Sequence, residues 1–164
     1  MAGRIRQAQD VLGQRIAVEN VSYYAAPATE LTEIEFLNAV LEEADCLLHL
    51  DLNNIFVNSY NHGYDAAAYV RAIPAVRIAY AHVAGHHCES DHLRIDTHGA
   101  DVIEPVWQLL DLAYALHGVF PTLLERDFDI PPLAVMLNEV DVIATYQARH
   151  EGQLLASPRQ AVHA

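Results

Sequence analysis

The sequence predicts an α/β chain built from parallel (β/α) units. Two observations carry that reading. Short apolar runs of strand length alternate with segments of helical periodicity, and no tight-turn signal joins one run directly to the next.

Taken in order, Arg4 to Leu12 reads as a short helix stopped at Gly13, and Arg15 to Val21 as an apolar strand with Glu19 near its end. Thr32 followed by Glu35 has the form of a capping box, and Phe36, Leu37, Val40 and Leu41 recur at helical spacing, so Glu33 to Ala44 is expected to be a helix. Cys46 to Leu52 is a near-continuous apolar run broken by His49 and Asp51, as for a strand of a parallel sheet buried on both faces. Asn53 to Gly63 is rich in turn formers and reads as a loop; a helix from about Asp65 to Ala72 then stops at Pro74. Val76 to Ala84 is a third strand. The polar, histidine-rich segment Gly85 to Ala100 reads as a loop without an element of its own. Val106, Leu109, Leu110, Ala113 and Leu116 mark a helix over Val102 to Leu116, Thr122 to Glu125 a fourth strand, and Pro131 and Pro132 the first turn of a last helix running to about Arg149. Residues 1–150 are thus read as one domain and 151–164 as a disordered tail. Four such units make either a small open sheet or half of an eight-stranded barrel, and length alone favours the open sheet, because a full barrel needs about 250 residues.

The 164 residues carry 22 acidic and 9 basic side chains, a formal net charge of -13. Such a chain is not expected to grip nucleic acid or an anionic membrane, whereas a cationic partner or a metal suits it. No apolar stretch approaches the ~20 residues of a spanning helix, and Met1 to Gln9 lacks the apolar centre of a secretory signal, so the cytoplasm is the expected location. Cys46 and Cys88 match neither a disulfide scaffold nor a zinc ribbon. Nucleotide-binding glycine loops and the serine-hydrolase elbow are absent from the sequence.

Of the ten histidines, six lie between Asn61 and His98. Sites in parallel α/β architectures form at the carboxyl ends of strands, and there the sequence places Glu19 and Asn20, then Asp51, Asn53 and Asn54, then His82, then Glu125 and Asp127. Asp96 and His98 stand two apart in the loop after the third strand, and His62 adds an imidazole after the second. Carboxylate with imidazole is a ligand set for iron, manganese or zinc at open positions. His49, inside an apolar run, and His117, at a helix end, read as structural; His87 and His92 read as loop decoration.

As a set, Val18-Glu19-Asn20, Leu50-Asp51-Leu52-Asn53-Asn54, Asn61-His62-Gly63, His82-Val83-Ala84-Gly85-His86, Asp96-Thr97-His98 and Leu124-Glu125-Arg126-Asp127 with Ile130-Pro131-Pro132 resemble, in order and spacing, the multinuclear non-heme iron-dependent oxidative enzymes. That family was long known as a barrel domain of unknown function and includes the methanobactin maturation enzyme. The resemblance covers about Arg4 to Arg149. It implies a TIM-type barrel with two or three iron ions in its mouth and dioxygen as co-substrate. It further implies a cysteine-containing, ribosomally made precursor peptide as substrate, often held by a partner protein, as in natural-product biosynthesis. By motif match Glu19, Asp51, His62, His82, Asp96, His98 and Glu125 take the metal-ligand roles, with Asn53 and Asn58 as further ligands or supports.

Family members begin with roughly a hundred further residues that supply the first barrel strands, so the resemblance makes this chain the C-terminal half of the barrel. Val18, Leu48, Leu50, Ile78, Tyr80 and Leu123 then lie on strands whose barrel neighbours are not encoded here. Self-association, or pairing with the missing half, is the expectation. Two other readings stand beside the oxidative enzyme: a non-catalytic remnant serving as a metal-binding or interaction module, and a divalent-metal hydrolase or isomerase on the same barrel.

Overall fold

The structure, a computed structural model, describes residues 1–25 and 30–156. A four-stranded parallel sheet is flanked by six α-helices among the described residues, as in part of a TIM-type barrel. The strands are β1 (Ala17–Glu19), β2 (Leu47–Asp51), β3 (Ile78–Val83) and β6 (Thr122–Leu124), and they stand side by side in chain order. That order has no reversal, which is the winding of a barrel; a doubly wound open sheet would change direction. The helices are α1 (Ala2–Leu12), α2 (Glu33–Ala44), α3 (Leu52–His62), α4 (Ala66–Arg71), α5 (Glu104–His117) and α6 (Leu133–Ala156).

Side-chain alternation splits the sheet into two unlike faces. Leu48 and Leu50 of β2, Ala81 and Val83 of β3 and Leu124 of β6 enter the apolar core with Leu37 and Leu41 of α2, Val70 of α4, Leu110 and Ala113 of α5 and Ile143 of α6. The opposite face carries Glu19, His49, Asp51, Tyr80, His82 and Leu123. Its two ends differ, since Asp51 is wholly buried whereas Leu123 is 54% exposed.

Local signals account for most boundaries. Thr32 caps α2 in a full capping box with Glu35, and Gly13 ends α1 in the left-handed conformation. The structure differs from the sequence reading in three places. Where Asn53 to Gly63 reads as a loop, helix α3 (Leu52–His62) begins directly off β2, because the Asp51 side chain accepts from the Asn54 amide at 2.7 Å, and ends at Gly63. Its asparagines, poor helix formers, are held by tertiary hydrogen bonds: Asn58 to Val21 O and from Tyr23 N, Asn61 to and from the Arg94 backbone. Gly85 to Ala100 contains an antiparallel ribbon, β4 (His87–Ser90) with β5 (Leu93–Ile95). The last helix continues past Arg149 to Ala156, so 151–156 are helical; the rest of the expected tail, 157–164, lies outside the described residues.

Gly85 fixes the ribbon's root against the following loop. A Cβ there would lie 2.1 Å from the Ala100 carbonyl oxygen, so this close backbone approach admits glycine alone.

Candidate metal centre

The site grows from the carboxyl ends of the four parallel strands. Asn20 clamps β1 to β2 by donating to Asp51 O at 2.8 Å while its own oxygen accepts from Asp51 N at 2.9 Å. With the strand ends locked together, two triads of ligand-type atoms form, each with its atoms within 4.8 Å of one another: Glu19, His49 and His82, and Asp51, His98 and Glu125. They adjoin, because His82 Nδ1 of the first lies 2.8 Å from Glu125 Oε2 of the second.

Asp96 reaches the same place from the end of β5, with Oδ1 2.6 Å from His98 Nε2. Its carboxylate is set by Asn53 Nδ2 at 2.8 Å and Ser22 Oγ at 3.0 Å, and its backbone amide donates to Tyr24 OH at 2.8 Å. The Asn53 oxygen in turn pairs with His86 Nδ1 at 2.9 Å, and the His86 ring stacks on Phe56. A chain of oriented groups thus runs His86, Asn53, Asp96, His98, the kind of outer support that fixes ligand rings and carboxylates. His98 itself adopts φ 50°, a left-handed backbone uncommon outside glycine and typical of constrained functional positions.

The shortest contacts in the cluster join imidazole nitrogen to carboxylate oxygen: His82 Nδ1 to Glu125 at 2.8 Å and His98 Nε2 to Asp96 at 2.6 Å. His49 Nε2, Asp51 Oδ2 and Asn54 Oδ1, by contrast, are buried and unpaired. Buried polar atoms are nearly always paired, so three such atoms at one strand-end cluster indicate a site arranged for something other than its own internal hydrogen bonding. Converging nitrogen and oxygen atoms, in a carboxylate and imidazole donor set, fit a bound cation.

Electrostatics agree. Burial pushes the Asp51 carboxyl up to about 8, and burial with the nearby Glu125 charge raises Glu19. His98 is raised to about 9 by its contact with the Asp96 carboxylate, whereas burial lowers His49 to about 4 and also lowers His82 and His86. Carboxyls that resist ionisation, as Asp51 and Glu19 do, and imidazoles that resist protonation, as His49 and His82 do, are groups a cation would relieve; His98 would have to give up its proton to the incoming cation.

Of the residues read from sequence, Glu19, Asp51, His82, Asp96, His98 and Glu125 are brought together. His62 is not: α3 carries it about 16 Å along the helix axis from Asp51, at 1.5 Å per residue, and there its ring stacks on Tyr23 and its Nε2 meets Tyr23 O at 2.8 Å. Asn53 supports Asp96, and Asn58 pins the β1–α2 connection away from the cluster. His49, read as structural, stands inside the first triad, and the signal was its two-residue spacing from Asp51 on the same strand face. Asp127 lies 3.3 Å from His98 Nδ1 at the rim. His117, by contrast, bonds Val70 O and ties α5 to α4.

Residues 1–148 match the family described as RiPP precursor modification enzyme MbnB/TglH/ChrH. The chain belongs to that family. It is 60% identical over 148 residues to a UPF0276 protein of Shewanella amazonensis, covering 90% of this chain and 53% of the relative. It is 58% identical over 151 residues to one of Nitrosospira multiformis (92% and 53%) and 56% identical over 155 residues to one of Pseudomonas aeruginosa (94% and 55%). The chain therefore spans about half the length of these curated relatives. No helix among the described residues is long and apolar enough to cross a membrane.

Proposed function

We propose that this chain forms the C-terminal barrel half of an iron-dependent oxidative enzyme that uses dioxygen to modify cysteine residues of ribosomally made precursor peptides. The carrying observation is the pair of adjoining carboxylate–imidazole triads, within which His49 Nε2 and Asp51 Oδ2 are buried and unpaired. Family membership supports the peptide class, and a donor set of nitrogen and oxygen without thiolate suits non-heme iron. Glu19, His49 and His82 would hold one ion and Asp51, His98 and Glu125 a second, with Asp96 beside His98. Bound iron supplies the one-electron and dioxygen chemistry that no side chain of this site possesses.

The chain's own residues do the positioning. Asn53, Ser22 and Tyr24 fix Asp96, and Asn54 steadies Glu19 at 3.1 Å. The proton on His98, and that on Asp51 below about pH 8, are released as a cation loads. The polar sheet face is open toward Tyr80 and Leu123, and the remaining barrel half, or a second copy, closes it.

The test is anaerobic iron loading of the protein followed by metal analysis of His82→Ala and Asp96→Ala. Both variants are expected to hold less iron than the parent, and oxygen-dependent mass change on a cysteine peptide is expected to fall with it. Unchanged iron in both variants would overturn the site.

A further inference from the structure

The ribbon β4–β5 has one protected edge and one open edge. On the β5 side, Asn61 of α3 takes the place of a neighbouring strand: its amide nitrogen donates to Arg94 O and its oxygen accepts from Arg94 N, both at 2.8 Å. Arg94 N–H and C=O thus point away from β4. Cys88 is the residue opposite Arg94, and the alternation of an antiparallel ladder turns the Cys88 amide and carbonyl to the far side of the ribbon. Nothing among the described residues pairs with that edge: β4 has no strand partner but β5, and all four of its residues are exposed. Proteins ordinarily cover or blunt such an edge, as Asn61 does for β5.

This open edge adjoins a cavity of about 490 Å³ lined by His86, His87, Thr97, Gly99, Phe128 and Asp129, whose wall includes both neighbours of His98. The charge beside it is one-sided. Glu89 and Asp91 stand on the ribbon and Asp129 on the cavity wall, with Glu89 3.2 Å from His87 Nε2. The two nearby arginines are engaged: Arg126 with Asp101 and Glu139, Arg94 over the Tyr60 ring and onto Ser90 O.

The geometry points to the open edge of β4, at Cys88, as the docking strand for an extended, cationic segment of the peptide substrate, which adds as a third strand and runs toward the His98 cavity. This inference rests on the peptide-modifying reading above. Main-chain hydrogen bonds to Cys88 N–H and C=O supply register without sequence dependence, and the carboxylates select positive charge. The Cys88 thiol plays no part.

The probe is a synthetic eight-residue peptide alternating lysine and valine around one central cysteine. Two comparison peptides accompany it, one N-methylated at alternate backbone amides and one with glutamate for lysine. Binding to the iron-loaded protein is read by fluorescence anisotropy and by hydrogen exchange at the Cys88 amide. The parent peptide should slow that exchange, and the N-methylated peptide, which lacks the N–H that would donate to the Cys88 carbonyl and puts a methyl group against that edge, should bind roughly fivefold or more weakly. The glutamate peptide should bind more weakly still, Cys88→Ser should bind like the parent protein, and Cys88→Pro should not bind. Equal affinity of the N-methylated peptide, unchanged exchange at Cys88, or no binding at millimolar peptide overturns the docking edge. Iron content of the same samples separates the two ideas. Normal iron without Cys88 protection sinks the edge alone, and absent iron with protection intact sinks the metal reading alone.

Discussion

Leu48 and Leu50 occupy one face of β2, His49 and Asp51 the other, and all four are buried. The first pair is surrounded by the apolar side chains of α2, α4 and α5, so its burial stabilises the fold in the ordinary way. The second pair is surrounded by other polar groups and still leaves His49 Nε2 and Asp51 Oδ2 unpaired, which costs stability. One strand therefore serves two ends: its odd and even positions divide between holding the sheet together and holding a reactive cluster at some expense to the fold. Perturbed acids and bases concentrated on one face are what functional sites show.

The comparison predicts opposite responses to substitution on neighbouring residues. Leu50→Ala, on the apolar face, should lower stability by about 2–5 kcal/mol in urea unfolding, the usual cost of a core truncation. A loss below ~1 kcal/mol would show that the helices do not pack on this face as described. His49→Leu, on the polar face, should raise the metal-free protein's stability by roughly 1 kcal/mol, by replacing an unpaired buried nitrogen; a clear loss would make His49 a structural residue after all.

A smaller effect tests whether a raised carboxyl must belong to the cluster. Glu33, away from it, accepts from Tyr64 and Tyr69 at 3.1 Å and from Asn58 at 3.2 Å, yet burial raises its pKa. Because the folded value lies above the unfolded one, the native state binds this proton more tightly. Its stabilising contribution is full below the unfolded value of about 4.3 and is lost as pH rises through the folded value. Glu33→Gln should flatten that part of the pH–stability profile, by less than about 1 kcal/mol, and an unchanged slope would remove Glu33 as its source.

The same contrast explains what could be read from the chain alone. The parallel order and the α2 capping box were legible because apolar periodicity and the Thr32 and Glu35 pair are local signals. Helix α3 was not, since its asparagines favour turns in isolation and are committed to helix only by partners 33–37 residues away in sequence. His62, on the same segment, reads as a loop imidazole for the same reason. Ribbon β4–β5 escaped notice because all four β4 residues are exposed and no apolar alternation marks it. The strand-end ligand candidates were legible by position, whereas the place of His49 depended on giving strand alternation more weight than the apolar run around it.

The most direct test is Asp51→Asn, which keeps a side chain able to cap α3 while removing the charge that would bind a cation. Iron content and thermal unfolding of the metal-free protein are measured side by side. The account predicts that the variant unfolds at the parent's temperature or above and loses most of its iron; a destabilised variant that retains full iron would contradict it.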